Sequence, residues 1–502
     1  MDKRTAAVFL FILFFLLLST GCMEFPGSGT RTADIASDKN AIEVPITMMV
    51  PYFEEEPPRP NNAIIKAIES YTKSKLQITW IPSAAYDDKV SASIASGVTP
   101  EVMVVQKNKS SNLMEAQRSG MFWDIGPYLD DYSNLSKLNP MIMSNISVNG
   151  KKFGLYRARD VSPNGMIIRK DWLNNLGLNE PKTLDELLEV LRAFTWNDPD
   201  KNGKNDTIGL ALNKLQMGEI PGGFDTIVSY FGGPNGWTVT TDGKFIPDFG
   251  TKEYLDAMKF FRKLYEEKLV NQDFAIYSKA EDLITKGKAG VFFQAKKATV
   301  IESHLQKLFP EAQLQPISRI SGPKGERLPA SPGYNGLLMF PKTSVQSEER
   351  LKYILSVMDR LLDKQMQDLF QWGIEGVHYK VVNGIYIRTD EKAYSQNNAL
   401  HQLKLSTLDA TVGEINLTEK KLIEQKNANK VISVGNPAQS LYSPMMWEKE
   451  SVLNSIIEDA RTKYIIGQLN DAGWEEAIEQ WKKNGGDNVI SEFEADYVKS
   501  KK

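Results

Sequence analysis

Short apolar runs alternate with helical patterns over the first part of the chain. The apolar run at 45–51 has the length and composition of a buried β-strand. Apolar and polar residues alternate over 76–81, which predicts a second strand, and a third is predicted at Val102–Val105. Apolar residues at i, i+3, i+4 and i+7 predict a helix after Asn61, and further helical patterns follow the second and third strands. This βαβαβα order predicts a mostly parallel sheet with helices on both faces.

The same alternation continues to about residue 340, after which helical patterns dominate. A capping box, Thr183 with Glu186, opens one strong amphipathic helix, and Trp474 and Trp481 lie on one face of another near the end. Further strands are predicted at 152–156, 166–169, 289–293 and 337–340. The fold class is therefore α/β with a helix-rich C-terminal part. The glycine- and aromatic-rich segment 222–236 is expected to be either a ligand-facing loop or a simple turn region.

The N-terminus has the pattern of an export signal. Lys3 and Arg4 precede an unbroken apolar run over residues 6–18, which is too short to span a bilayer. The chain's one cysteine, Cys22, follows Gly21 at the end of this region, where bacterial lipoproteins carry the cysteine that is lipidated. We predict a signal peptide over 1–21, a lipidated Cys22 and a flexible, polar tether over 22–40; the alternative is a buried free thiol.

Composition narrows the possibilities. The chain has 502 residues, of which 41% are hydrophobic and 25% charged, which is ordinary for a globular protein. Its length suggests two or three domains. The formal net charge of -3 gives no basic excess that would suggest nucleic acid as a partner. Because Cys22 is the only cysteine, the exported part has no disulfides and must be stabilised by its core or by metal sites.

The segment 198–206, DPDKNGKND, has the spacing of an EF-hand calcium loop. Ca²⁺ takes six to eight oxygen ligands, and alternate residues of a tight loop can face one centre. Gly203 occupies the sixth position, which needs a sharp turn, but the twelfth is Gly209 instead of Glu. Either another oxygen completes the shell, or water does, or the segment is a polar turn without metal. We predict a structural Ca²⁺ bound by Asp198, Asp200, Asn202, Lys204 through its carbonyl, and Asp206.

Catalytic motifs are missing from the sequence. It contains no complete Walker loop, GxGxxG, HExxH, CxxC or GxSxG, and its three histidines have no ligand spacing. Polar and aromatic residues flanked by glycine are prominent instead. Sugar rings stack on aromatic faces and their hydroxyls need paired donors and acceptors, so these residues suit a carbohydrate cleft, although core packing explains each aromatic equally well. The candidate ligand-binding residues are Arg157, Asn164, Trp237, Tyr334, Asn335, Trp372, Glu375 and Tyr379.

Several segments together carry a family resemblance. They are the Gly21-Cys22 pair, 168–173 (IRKDWL), 181–186 (PKTLDE), 198–206, 373–379 (GIEGVHY) and 464–467 (YIIG). The chain resembles the extracellular solute-binding lipoproteins of bacterial carbohydrate ABC importers, and is similar to the alginate-oligosaccharide-binding proteins. The resemblance implies two α/β lobes with a ligand cleft and hinge crossovers between them. We assign 41–158 plus 291–345 to the first lobe and 159–290 plus 346–500 to the second.

The resemblance also implies calcium in the loop at 198–206. Relatives often have Glu immediately after this loop, and here the residue is Thr207. The implied partners are an oligosaccharide, including acidic ones, and the permease subunits of an ABC transporter. The implied location is the extracellular face of the cell membrane, held by the lipid on Cys22. We expect a monomer that is not an enzyme and binds no nucleic acid.

Two other functions are compatible with the residues alone. A secreted glycoside hydrolase or polysaccharide lyase would need carboxylates facing each other across a cleft, and these cannot be chosen from sequence. Arg157 and Arg159 could pair a uronate carboxylate bidentately, but two surface arginines are the more common explanation of such residues. A lipoprotein that presents its ligand to a membrane sensor would have the same sequence features as a transport protein.

Overall fold

A computed structural model describes residues 45–59, 61–161, 165–218, 222–406 and 413–500. The predicted signal peptide, Cys22, the tether and Asn164 lie outside these ranges. The strands, numbered in chain order, are β1 Ile46–Tyr52, β2 Leu76–Pro82, β3 Val102–Val105, β4 Gly154–Ala158, β5 Met166–Arg169, β6 Ile208–Ala211, β7 Trp237–Val239, β8 Phe245–Pro247, β9 Ala289–Phe292, β10 Leu314–Ile317, β11 Ser321–Gly322, β12 Gly325–Glu326, β13 Leu328–Pro329, β14 Tyr334–Met339, β15 Tyr379–Val382, β16 Ile385–Arg388 and β17 Ser433–Val434.

Helices outnumber strands toward the C-terminus, as the sequence predicted. Within the described ranges, no helix is both long enough and apolar enough to cross a membrane. The α-helices are α1 Ala63–Thr72, α2 Ser83–Ser96, α3 Ser111–Arg118, α4 Pro140–Asn145, α5 Lys170–Leu176, α6 Leu184–Trp196, α7 Gly223–Tyr230, α8 Lys252–Glu266, α9 Glu281–Thr285, α10 Ala298–Leu305, α11 Glu348–Arg360, α12 Lys364–Trp372, α13 Glu391–Ser395, α14 Leu417–Asn429, α15 Pro444–Ile465, α16 Asp471–Trp481 and α17 Asp487–Ser500.

The first sheet has the strand order β2-β1-β3-β14-β4. Strands β1, β2 and β3 are parallel, with Met48 opposite both Ile78 and Val102, so the predicted βαβαβ start is confirmed. Strand β14 is antiparallel to both of its neighbours. Buried apolar residues of these strands form a core with α1, α2, α11 and α12. The almost fully apolar strands β1 and β3 are largely buried, whereas β2, in which apolar and polar residues alternate, is only partly buried.

The second sheet has the order β10-β5-β9-β6, and its own core lies against α6, α7, α8 and α15. Strands β6 and β9 are parallel, while β5 is antiparallel to β9 and β10. The core is rich in aromatic rings: Trp172 meets Phe194 edge to face at 5.4 Å. Since the described chain has no disulfide, this aromatic packing supplies much of the apolar burial that stabilises the second sheet.

Sheet membership corrects the predicted lobe boundaries in two places. Strands β9 and β10, which end at Ile317, pair within the second sheet, although 291–345 was assigned with the first. Helices α11 and α12 bury Leu351, Ile354 and Met366 in the first core, although 346–500 was assigned with the second. Both errors arise because these segments contact a sheet from which they are far apart in sequence, and local sequence patterns contain no information on such long-range contacts.

The chain passes from the first sheet to the second between β4 and β5, and returns between β13 and β14. Both connections lie beside β17, the short strand that follows α14. The amide of Ser331 donates to the Val161 carbonyl at 2.8 Å, and the amide of Ala330 donates to the Val434 carbonyl at 2.9 Å. We call residues 160–161, 330–331 and 433–434 the connecting segments. Their mutual hydrogen bonds satisfy backbone groups where the chain leaves both sheets.

Candidate functional site

A cavity of about 190 Å³ opens beside the connecting segments. We call it the aromatic cavity and define it by six of its lining residues, Asp225, Trp237, Asp248, Trp447, Arg461 and Trp481. Lys109, from the loop after β3, also lines it, and its amine donates to the Gln439 carbonyl. Side chains from the neighbourhoods of both sheets therefore meet at this cavity.

Three tryptophans contribute to the wall, and they differ in exposure. Trp237 and Trp481 are 8% and 2% exposed, and both pack against other aromatic rings of the second core. Trp447 is half-buried near the start of α15 and packs against the first core, whereas its neighbour Met446 packs against the second. Trp447 is therefore the tryptophan with a ring left to stack on a ligand.

Arg461 is the most unusual polar residue of the cavity. It is 1% exposed, and its guanidinium carbon lies 4.6 Å from the centre of the Phe224 ring. Its Nη1 donates to the Tyr254 hydroxyl at 3.0 Å, while Nε and Nη2 have no hydrogen-bond partner among the described residues. A buried guanidinium with two unused donors is costly unless a ligand or water accepts from them.

Asp248 supplies a second buried polar group, and it is 6% exposed. Burial, followed by repulsion from Asp225, raises the pKa of Asp248 from an ordinary 3.8 to about 8, although Arg461 opposes the shift. A carboxyl group with such a pKa carries its proton for much of the time at neutral pH. It can then both donate and accept a hydrogen bond, as a sugar hydroxyl requires.

The second carboxylate, that of Asp225, already has a structural role. It accepts a hydrogen bond from the Gly222 amide at 2.6 Å at the start of α7. This helix corrects the expectation that 222–236 is a loop: the apolar residues Phe224, Ile227 and Val228 bury one face of it in the second core. The rest of the segment does reach the cavity, through Asn235 and Gly236.

Of the predicted ligand residues that the structure describes, Trp237 is the one that lines the aromatic cavity. Arg157 is 1% exposed and its three guanidinium nitrogens donate to protein oxygens, at 2.7 Å to Asn335 and 3.1 Å to Gln402. Burial lowers its pKa to about 9. Because its donors are already used, Arg157 positions β4 against the chain at Gln402.

The other predicted residues that the structure describes lie on β14 or between the end of α12 and the start of β15. Tyr334 and Asn335 are on β14, buried and exposed respectively. Trp372 packs at 5.9 Å from Tyr379, and Tyr379 stacks on Tyr386 at 5.0 Å across the hairpin of β15 and β16. Tyr379 lines a separate cavity there, and Glu375 is exposed nearby. Their contact with a ligand stays a prediction, as it does for Asn164.

Sequence reasoning missed Asp248, Trp447 and Arg461. They lie far apart in the chain, and none belongs to a recognisable motif. One signal was available in α15, which has apolar residues on more than one face. A helix of this kind is contacted from several sides. Trp447 and Arg461 lie near the two ends of α15. They were therefore candidates for residues that lie where packed layers of the structure meet.

The predicted calcium loop lies between α6 and β6. Asp198 adopts a left-handed φ of 46°, and its carboxylate accepts from the amides of Asn202 at 3.0 Å and Gly203 at 2.9 Å. The Asn202 amide group donates to Asp200 at 2.9 Å and to Asp206 at 3.1 Å. The side chains of the predicted ligands are thus gathered in one loop and hold each other by hydrogen bonds.

The oxygen atoms of this loop suit a hard cation, but a lysine side chain would compete with the cation for one of them. Burial, followed by a hydrogen bond with Asp198, raises the pKa of Asp200, and its buried Oδ1 has no hydrogen-bond partner among the described residues. A bound cation would favour the charged form of Asp200 and would give its Oδ1 a partner. The amine of Lys288 lies 2.6 Å from Asp206 and would compete with it. No cluster of three or more His, Cys, Asp or Glu side chains with the geometry of a metal site is found in the described part of the chain.

The two departures from the EF-hand pattern have structural causes. The Thr207 hydroxyl donates to the Phe194 carbonyl at 2.8 Å and so helps to end α6. Gly209 lies in β6 against the same helix, where a Cβ would come within 2.6 Å of the Leu191 carbonyl oxygen. Glu cannot be accommodated at position 209, because the strand packs directly on the helix there.

Comparisons with known proteins identify relatives along nearly the whole chain. The sequence profile described as bacterial extracellular solute-binding protein matches residues 56–359. The polygalacturonan/rhamnogalacturonan-binding protein YtcQ of Bacillus subtilis (strain 168) is 40% identical over 91% of this chain and 92% of its own. Lipoprotein LipO of the same organism is 37% identical over 94% of this chain and 96% of its own.

Solved structures show the fold. An extracellular solute-binding protein from Bifidobacterium longum subsp. infantis has a TM-score of 0.73 at 19% identity, covering 92% of this chain and 99% of its own. An EF-hand mutant of the Streptococcus pneumoniae substrate-binding protein FusA, in complex with fructo-nystose, has a TM-score of 0.62 at 20% identity, covering 91% and 99%. The α/β fold of solute-binding proteins, predicted from sequence, is confirmed.

The raised pKa of Asp248 predicts a pH dependence of stability. Because the folded pKa of about 8 exceeds the unfolded value of 3.8, this group's contribution is complete below about pH 4 and is lost as the pH rises to about 8. Relative to Asp248→Asn, the free energy of unfolding of the unsubstituted protein should fall by up to about 1 kcal/mol per pH unit over this range. Urea unfolding at several pH values measures both, with the exposed Asp88→Asn as control. Parallel curves for Asp248→Asn and the unsubstituted protein would contradict the assignment.

Proposed function

The chain belongs to the family of bacterial extracellular solute-binding proteins, and we propose that it captures an oligosaccharide for import by an ABC transporter. The observation that carries this proposal is the aromatic cavity, where a half-buried tryptophan lies with the unused donors of a buried arginine. The relative YtcQ is a polygalacturonan/rhamnogalacturonan-binding protein, which supports a carbohydrate ligand.

Each group of the cavity has a role in this proposal. The ring of Trp447 stacks on the apolar C–H face of a sugar ring. Arg461 donates Nε–H and Nη2–H to sugar oxygens and thereby removes the cost of two unpaired buried donors. Asp248, partly protonated at neutral pH, exchanges a hydrogen bond with a hydroxyl. Of these groups, the two Arg461 nitrogens are the ones that lack a partner among the described residues.

A second candidate function, glycoside hydrolysis, is favoured by one observation. Three carboxyl groups, those of Asp225, Asp248 and Glu450, line the same cavity, and the pKa of Asp248 is raised as in a general acid. Asp225, however, accepts the Gly222 amide at the start of α7, which reduces its ability to act as a nucleophile or base. The relatives are named as binding proteins and a lipoprotein. We therefore propose binding without turnover.

Calorimetric titration with tetragalacturonate tests the proposal. We expect stoichiometric binding, and Trp447→Ala should weaken it by about tenfold or more, since loss of a stacking tryptophan costs about 2 kcal/mol. Trp196→Ala is the matched control, because Trp196 is 49% exposed and does not line the cavity. Chromatography of the sugar after long incubation completes the test. Shortened products would refute a pure binding role, and equal binding by Trp447→Ala would refute this cavity as the site.

We further propose that lipid on Cys22 holds the protein at the outer face of the cell membrane, and that it works there as a monomer with permease subunits. The lipoprotein name of LipO supports this anchoring. Labelled palmitate fed to cells should be incorporated into the protein and should be absent from Cys22→Ser, which should be released into the medium. Retention of Cys22→Ser in the membrane fraction would show that another element anchors the chain.

We propose that the loop at 198–206 binds a structural Ca²⁺. The unpaired Oδ1 of Asp200 and the existence of an EF-hand mutant of FusA support this. Calcium would supply positive charge among three carboxylates and fix the connection between α6 and β6. Asp198, Asp200 and Asp206 would provide carboxylate oxygens, with the Asn202 amide turned to present its oxygen and the Lys204 carbonyl completing the protein's contribution.

Thermal unfolding with calcium and with chelator tests the metal. Calcium should raise the Tm of the protein, by mass action on the folded state. Asp200→Asn should remove this rise, yet in chelator it should be at least as stable as the unsubstituted protein, because its neighbours disfavour the charged form of Asp200. Asp130→Asn, an exposed substitution elsewhere, should keep the calcium response. A Tm that is the same in calcium and in chelator would exclude the site.

A further inference from the structure

A second cavity, of about 320 Å³, lies against the same connecting segments. We call it the basic cavity and define it by Lys137, Arg159, Asp160, Lys426 and Lys430, which line it. Arg159 and Asp160 directly follow β4 of the first sheet, whereas Lys426 lies on α14, which packs on β10 of the second. Like the aromatic cavity, this one is built by elements from both sheets.

The charge in this cavity is unbalanced. Four of its described lining residues are cationic, and one, Asp160, is anionic and pairs with Lys426 at 2.5 Å. The chain as a whole has a formal net charge of -3, so this is a local concentration of positive charge in a slightly acidic protein. Lys404 of the same chain adds to this positive charge. Burial lowers the pKa of Lys404, and the charges of Lys426 and Arg159 lower it as well. Cations gathered in this way repel each other unless an anion is bound between them.

A third cavity lies near both of the others. It has a volume of about 240 Å³ and is lined by Ala330, Asn436 and Gln439, which also line the aromatic cavity. It is also lined by Met141 and Asn145 of α4, and the same helix contributes Ile142 to the basic cavity. Three cavities therefore lie beside the connecting segments, which suits a chain of several sugar rings better than a single ring.

We propose that the basic cavity is an anion subsite that binds a uronate carboxylate of the same oligosaccharide whose other rings occupy the aromatic cavity. This inference rests on the proposed function and names its substrate class, an acidic oligosaccharide. Arg159 has a planar fork of donors that matches a carboxylate, although its Nη1 already donates to the Ala158 carbonyl at 2.8 Å. Lys426 and Lys430 add point charges. Asp160 holds Lys426 in place until the ligand binds.

The test compares tetragalacturonate with its fully methyl-esterified form, which has the same rings without negative charge. Calorimetric titration should give the acid form an affinity about tenfold higher at low salt, and added salt should reduce the difference. Lys430→Gln, and the double variant Lys426→Gln with Lys430→Gln, should weaken binding of the acid form and leave the ester unchanged. Lys420→Gln, exposed on the same helix and absent from the lining, is the matched control.

The outcomes separate this inference from the proposed function. Equal affinity for acid and ester, or undiminished binding of the acid by the double variant, would overturn the anion subsite while leaving oligosaccharide capture intact. If neither form binds the unsubstituted protein, both proposals fail. Titration with inorganic phosphate in the absence of sugar is the last arm. Phosphate binding that the double variant loses would reassign the cavity to free anions and also overturn the inference.

Discussion

The hydrogen bonds among the connecting segments are the constraint on which the functional region depends. The Ser331 amide donates to Val161, the Ala330 amide donates to Val434, and the side-chain amide of Asn235 lies 2.8 Å from the carbonyl oxygens of both Ala330 and Val434. These bonds satisfy the backbone where the chain leaves each sheet, so no ligand is needed to complete them. Ala330 lines the aromatic cavity and Val161 the basic cavity. Any displacement of these segments must therefore change both cavities together.

Most of the fold could be predicted because it is specified locally. The runs that became β1, β3 and β5 are short and almost wholly apolar, and the caps at Asn62 and Thr183 fix the starts of α1 and α6. Sheet membership was harder, because pairing of β9 and β10 with β5 depends on contacts over more than a hundred residues. The lobe boundaries were wrong at those points for this reason.

The candidate site could be predicted only in part. The loop at 198–206 is continuous in sequence, so its spacing alone gathers the predicted ligands, and the structure brings their side chains together. The aromatic cavity is assembled from α7, the segment after β8 and α15, and no spacing rule connects them. Aromatic content selected Trp237, which lines the aromatic cavity, but it gave equal weight to Trp372 and Tyr379, which pack on each other and on Tyr386.

An unpaired buried polar atom is a weak sign of function when it stands alone. The side-chain nitrogens Asn108 Nδ2 and Trp172 Nε1 are also buried without a partner, and neither residue lines the aromatic or the basic cavity. Arg461 differs because its unpaired nitrogens carry charge, because it lines a cavity, and because a carboxyl of raised pKa lines that cavity as well. Desolvating an uncompensated charge costs several kcal/mol, which is more than the cost of desolvating a neutral amide. The fold tolerates such a group most readily where hydrogen bonds to a bound ligand offset the free energy of desolvation.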